Sequence, residues 1–166
     1  MEYSLPIIPV TIGGMSLVGR MVVGNKNGLL VPSCTNDYEY ENLLNYMPES
    51  VEIMKVDERL SALGNVIACN DYVAIANPEV SEETIEQIER VLGVEVLKTS
   101  IAGNTLVGSY TVLTNRGGLV HPMVGVKELE TLTNFTQIPM ISGTVNRGSD
   151  IISGGLVVND LYGFCG

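Results

Sequence analysis

The chain repeats itself. Leu-Val-Gly at 17–19, Ala-Leu-Gly-Asn at 62–65, Leu-Val-Gly-Ser at 106–109 and Ile-Ile-Ser-Gly at 151–154 share one pattern. They set Gly19, Gly64 and Gly108 at intervals of 45 and 44 residues, with Ser153 a further 45 on. Six or seven residues after each stands Asn25, Asn70, Asn115 or Asn159, and thirteen or fourteen after stand Pro32, Pro78 and Pro122. Strand-like starts precede them at Leu5-Pro6-Ile7, Val51-Glu52-Ile53, Val94-Glu95-Val96 and Ile138-Pro139-Met140. A unit this short cannot bury its apolar face alone and must stack on its neighbours. The units run over residues 1–47, 48–92, 93–136 and 137–166 of one domain.

Each unit reads as short strands followed by a helix. Met21-Val22-Val23, Val66-Ile67-Ala68, Tyr110–Leu113 and Leu156-Val157-Val158 are apolar runs too short for helices. Leu29–Val31, Tyr72–Ile75 and Leu119-Val120 follow turns built on Asn and Gly. Asn36 with Glu39 three residues on makes a capping box, and Tyr40, Leu43, Leu44 and Met47 give a helical apolar face that Pro48 ends. Ser81 caps a second helix that buries Ile85, Ile88 and Leu92 and stops at Gly93. A third runs near Lys127–Asn134 with Leu129 and Leu132 inward. Sheet-plus-helix units of this size point to radial repetition, with sheets round an axis and helices outside.

Composition narrows the function. The net charge of −10 with only nine Lys and Arg argues against a mainly electrostatic nucleic-acid binder. The acidic residues crowd into 37–58 and 79–95, the outer faces of the first two helices, so a partner would be a protein surface. Three widely spaced cysteines, with no Cys-x-x-Cys, fit a reduced intracellular protein. The uncharged stretch 3–19 is broken by Pro6, Pro9, Gly13, Gly14 and Gly19 and follows Glu2, unlike a signal peptide or a membrane span. No phosphate loop or metal cluster is present, and no cofactor is expected.

Longer stretches carry a resemblance. Gly19-Arg20-Met21, Asn27–Pro32, Glu58–Asn65, Cys69–Ala74, Leu106–Tyr110, Gly117–Pro122, Gly143–Ser149 and Val157–Asp160 resemble the eukaryotic translation initiation factor 6 family, over essentially the whole chain. The resemblance implies a pentein-type pseudosymmetric α/β propeller, with four of its five units here. The first sheet, first helix and closing C-terminal helix of the family have no counterpart, so the chain is expected to be a fragment, a truncated gene product or a form that closes differently. The family is a ribosome anti-association factor. It binds the large ribosomal subunit, mainly through a ribosomal protein on the joining face near the sarcin-ricin loop, and blocks the small subunit sterically. It acts in large-subunit maturation and nuclear export, is evicted by a GTPase with its cofactor protein, and has no catalysis of its own. The implied localisation is cytoplasm and nucleus, including the nucleolus, with no membrane role and a monomeric state when complete.

Arg20, Asn65, Ser109 and Ser153-Gly154 follow or occupy the repeat glycine, so pseudosymmetry puts them on one side. As plain structure they satisfy backbone groups near the axis. The resemblance implies a ribosome-binding face instead, carried by Arg20, Asn65, Ser109, Tyr110, Arg147 and Ile151. Asn70, Asn115, Asn146 and Asn159 read as turn formers, as does Arg147–Asp150. Enzymatic penteins attack guanidino groups with a Cys and a His, so a Cys165–His121 dyad is the enzymatic alternative. Against it, His121 occupies a repeat slot held by Val31 and Asn77 elsewhere. A fragment without function is the remaining alternative.

Overall fold

A computed structural model describes residues 7–166. The strand start expected at 5–7 falls mostly outside them. The rest is one motif written repeatedly. A single-turn helix, α1 (Val18–Met21), leads into β1 (Val23–Gly24), which turns back antiparallel into β2 (Gly28–Pro32). Helix α2 (Asp37–Tyr46) crosses over to β3 (Glu52–Val56), parallel to β2. The parallel pairing requires that crossover, since a two-residue turn joins only antiparallel strands.

The next unit is α3 (Leu63–Val66), β4 (Ile67–Cys69), β5 (Val73–Ala76), α4 (Glu82–Leu92) and β6 (Glu95–Lys98). The third is α5 (Val107–Tyr110), β7 (Thr111–Leu113), β8 (Gly118–Val120), α6 (Val126–Thr136) and β9 (Met140–Ser142). The fourth holds α7 (Ile152–Gly155), β10 (Leu156–Val158) and β11 (Gly163–Cys165). The sheets order β1-β2-β3, β4-β5-β6, β7-β8-β9 and β10-β11. Each third strand therefore closes the sheet of the strands before the helix, and then delivers the chain to the next single-turn helix.

The core lies between units. Val23, Leu30 and Val56 of the first sheet pack with Ile85, Ile88 and Leu92 of α4. Ala68, Ile75 and Ile101 share one cluster with Leu113 and Val120 of the third sheet and Leu132 of α6. Ile12, Val31, Leu43 and Ile53 fill the other face of the first sheet beneath α2. A strand covered on both faces must be apolar at successive positions, and β2 and β5 are.

Several expectations change in detail. Met21, Val66 and Tyr110 end single helical turns rather than open strands. A four-residue run carries no period that would separate one turn from a strand. Leu44 is exposed while Leu43 is buried, because α2 meets its sheet along a narrow face. The third helix extends two residues further at the C-terminus and one at the N-terminus than its apolar spacing indicates. The capping box at Asn36, the Ser81 cap and the left-handed Gly93 at the end of α4 stand as expected.

Candidate functional site

The strand directions sort the molecule into two ends. The single-turn helices, the loops before them and the N-termini of α2, α4 and α6 share one end, here the single-turn end. The turns between antiparallel strands share the other, the asparagine end.

At the single-turn end, backbones of successive units touch. A methyl at Gly64 would lie 2.2 Å from the Gly19 carbonyl oxygen, and one at Gly108 would lie 2.3 Å from that of Gly64. Only a residue without a Cβ permits this approach. In the fourth unit Ser153 takes the place, and its hydroxyl donates to the Ser109 carbonyl at 3.3 Å. The residues after these glycines converge. Arg20 Nη1 and the Ser109 hydroxyl both donate to Asn65 Oδ1, at 3.1 and 3.2 Å. Asn65 thus holds a guanidinium whose other donors are unpaired among the described residues and can fork onto a carboxylate or carbonyls. A cavity of about 620 Å³ opens beside it, lined by Leu17, Arg20, Ser153, Gly154 and Val157.

Tyr110 closes α5, and its ring stands edge-on to His121, with centroids 5.1 Å apart at 78°. His121 Nε2 lies 3.3 Å from Asp150 Oδ2, and its Nδ1 accepts from the Met123 N–H at 3.1 Å. Ile151 follows Asp150 and is partly exposed. Arg147 sits on the turn of the Val145–Ser149 hairpin, with positive φ at Asn146, Arg147 and Gly148. All six residues singled out from the sequence lie at this end. Arg20, Asn65 and Ser109 meet directly. Tyr110 and Ile151 are joined through His121 and Asp150, and Arg147 stands apart on its hairpin.

Buried carboxylates brace the same end. Glu39 accepts from the Thr11 hydroxyl at 2.6 Å and from the N–H groups of Gly13, Gly14 and Asn36. Burial raises its pKa, but these donors outweigh burial and hold it at about 2. Glu58 does the same work from the loop side: burial pushes it up, yet the Ser81 and Leu60 N–H groups and the Ser81 and Thr84 hydroxyls bring it below the usual value. In the third unit the Ala102 N–H donates to Glu128.

The asparagine end is only partly legible in the sequence. Asn25, Asn70 and Asn159 each accept two N–H groups from their own turns. In the third unit Thr114 does this, not Asn115. The shared spacing is six residues after Gly19, Gly64, Gly108 and Ser153, which makes Thr114 the counterpart. Asn115 falls one place later, with Lys26, Asp71 and Asp160. There the backbone N–H of Lys26 donates to Asp71, that of Asp71 to Asn115, and that of Asn115 to Asp160, at 3.1, 3.0 and 2.9 Å. The Asn115 amide also donates to Asp71 Oδ2 and Asp160 Oδ2, both at 2.7 Å. The position seven after each glycine is the signal that would have found this set.

The enzymatic dyad is not assembled. Cys165 is on β11 opposite Leu156, while His121 is engaged by Asp150 and Met123. The slot of His121 is shared with Asn77 and with Pro32, not Val31, since the Thr35, Val80 and Val124 N–H groups donate to the Pro32, Asn77 and His121 carbonyls in turn. Burial, with the Asp71 charge added, pushes the Cys69 thiol up to about 12, the reverse of an activated nucleophile. Among the described residues no cluster has the make-up of a metal site, and no helix is long and apolar enough to cross a membrane.

Comparison with known proteins decides the family. The profile of the eIF-6 family matches residues 1–166. The chain belongs to the eIF-6 family. "Eukaryotic translation initiation factor 6-2" of Arabidopsis thaliana is 54% identical over 162 residues, which is 98% of this chain and 66% of that protein. "Eukaryotic translation initiation factor 6" of Tetrahymena thermophila is 54% identical over the same shares. That of Saccharomyces cerevisiae is 53% identical over 163 residues, again 98% and 66%. The chain thus spans about 66% of the length of these family members.

Proposed function

We propose that this eIF-6 family chain acts as a ribosome anti-association factor, with its four sheets as blades of a pentein-type propeller. The single-turn end is the face that meets the large ribosomal subunit, chiefly a ribosomal protein of the joining surface near the sarcin-ricin loop. Bound there, it excludes the small subunit by occupying space, with no chemistry required. In the same reading it serves large-subunit maturation and nuclear export, works in cytoplasm, nucleus and nucleolus, and is removed by a GTPase with its cofactor protein.

The observation that carries this reading is the convergence of Arg20, Asn65 and Ser109 at the end that also bears Tyr110 and Ile151. A surface of two guanidinium groups set apart from one another, neutral polar groups, an aromatic ring and an aliphatic tip suits a folded protein partner better than a phosphate backbone. The exclusion of the small subunit then follows from shape, and affinity should fall only modestly with salt.

The test is sedimentation with purified subunits through a sucrose gradient. The expected result is co-migration with the large subunit alone, and fewer joined ribosomes when both subunits are present. Absence of co-migration removes the reading. Co-migration that collapses steeply with salt would move the contact to rRNA.

A further inference from the structure

We propose that His121 is a positioning residue of the partner face, holding the Tyr110 ring and the 145–151 hairpin in one arrangement. This rests on the reading of the single-turn end as the large-subunit surface.

The repeat isolates what is special about His121. One residue ends each single-turn helix, and the residue eleven later folds back beside it. Asn77 N–H donates to the Val66 carbonyl, His121 N–H to that of Tyr110, and Gly166 N–H to that of Gly155. Of these pairs only Tyr110 and His121 place two rings together. In the second unit Asn77 Oδ1 accepts from the Glu79 N–H at 2.7 Å, and in the third His121 Nδ1 accepts from the Met123 N–H at 3.1 Å. An asparagine therefore suffices to cap this turn. The imidazole adds two things an asparagine would not: an edge-on contact with Tyr110, and a bond from Nε2 across to Asp150 of the next unit.

The accepting Nδ1 fixes the tautomer, leaving the proton on Nε2 to be donated to Asp150. His121 is only 7% exposed, whereas Asp150 is at the surface beside Ile151. A buried ring thus ties one half-buried aromatic to a hairpin of the neighbouring unit. That hairpin carries Arg147 and precedes Ile151, and its turn is left-handed at Asn146 and Arg147.

The molecule's own repeat supplies the variant. His121→Asn retains the turn cap, as Asn77 does, and removes both added contacts. It is expected to melt within about 2 °C of the wild type and to bind purified large subunits roughly fivefold to tenfold more weakly. In a Tyr110→Ala, Asp150→Ala background the same change is expected to alter affinity less than about twofold, because the groups it positions are gone. Tyr110→Ala alone reports on the face itself. If His121→Asn binds as tightly as wild type while Tyr110→Ala is weakened, the positioning role is overturned and the face stands. An equal loss in both backgrounds also overturns it. If the wild-type chain does not bind large subunits, both readings fall together. Should His121→Asn not fold, the imidazole ¹⁵N spectrum of the wild type decides: a ring whose only proton is on Nδ1 would leave Nε2 and the Asp150 carboxylate as two acceptors, without a bond, and end the proposal.

Discussion

The two ends of the molecule are built from the same repeat and use it in opposite ways. At the asparagine end, the side chains seven residues after Gly64, Gly108 and Ser153 each accept the corresponding backbone N–H of the unit before, from Lys26 through to Asp160. There the turn side chains of one unit answer the backbone of the unit before it. At the single-turn end, backbone contact through Gly64 and Gly108 does the joining, and the side chains that follow are left half-satisfied. Among the described residues, Arg20 gives one donor to Asn65 and no other. One end joins units through a series of side-chain to backbone bonds, and the other joins them through backbone contact and leaves Arg20 half-exposed.

The largest effect is expected where backbones touch. Gly108→Val would drive a branched side chain into the Gly64 and Ile67 carbonyls, whose oxygens lie 2.3 and 2.5 Å from the Cβ site. Because both neighbours are backbone, a whole unit must move, costing about 3 kcal/mol or more. Gly19→Ala is the control: its Cβ site is open to 4 Å, and replacing a helical glycine there is expected to be neutral or slightly stabilising. Urea melts of both decide it. Equal midpoints would mean that the units do not approach this closely.

Next comes the asparagine end. Asn115→Asp keeps the shape but replaces two amide donors with a third carboxylate beside Asp71 and Asp160. The expected loss is about 2–3 kcal/mol at pH 7. Matching urea midpoints for this variant and the wild type would show that the pair of bonds to Asn115 does not form.

Glu39 offers a third probe, at the single-turn end but within its bracing. Its folded pKa, about 2, lies below the ordinary 4.5. A depressed carboxyl pKa means stability that is fully present above about 4.5 and lost as the pH falls from there towards 2. Glu39→Gln is therefore expected to cost about 2 kcal/mol at pH 7, and nearly nothing at the acid end of that window. Unfolding curves across that window give the sign directly.

How far the sequence reveals all this depends on which link is local. The caps at Asn36, Ser81 and Gly93 are legible because each is settled within one turn of chain. The repeat glycines are legible too, although their reason, a neighbouring backbone at van der Waals distance, is not. Thr114 is obscured by Asn115 beside it, because a hydroxyl and an amide serve the same turn and only geometry says which does. His121 reads in the sequence as a filler of a repeat slot. Its tie to Asp150 spans 29 residues and two units, and no spacing rule records that.

The smallest effects discriminate the ends most directly. Arg20 and Lys26 are both basic, six residues apart, and placed at opposite ends of β1. Arg20→Ala removes one bond to Asn65 from a half-exposed side chain, so stability should fall by less than about 1 kcal/mol. If Arg20 also meets the large subunit, affinity should fall about tenfold, or about 1.4 kcal/mol. Lys26→Ala loses an exposed ion pair of 3.7 Å to Asp71, worth about 0–0.5 kcal/mol, and should leave subunit binding alone. The two variants match in charge removed, so a general electrostatic contribution would weaken both alike. A loss confined to Arg20→Ala puts the partner at the single-turn end, and a loss confined to Lys26→Ala would reverse the roles of the two ends.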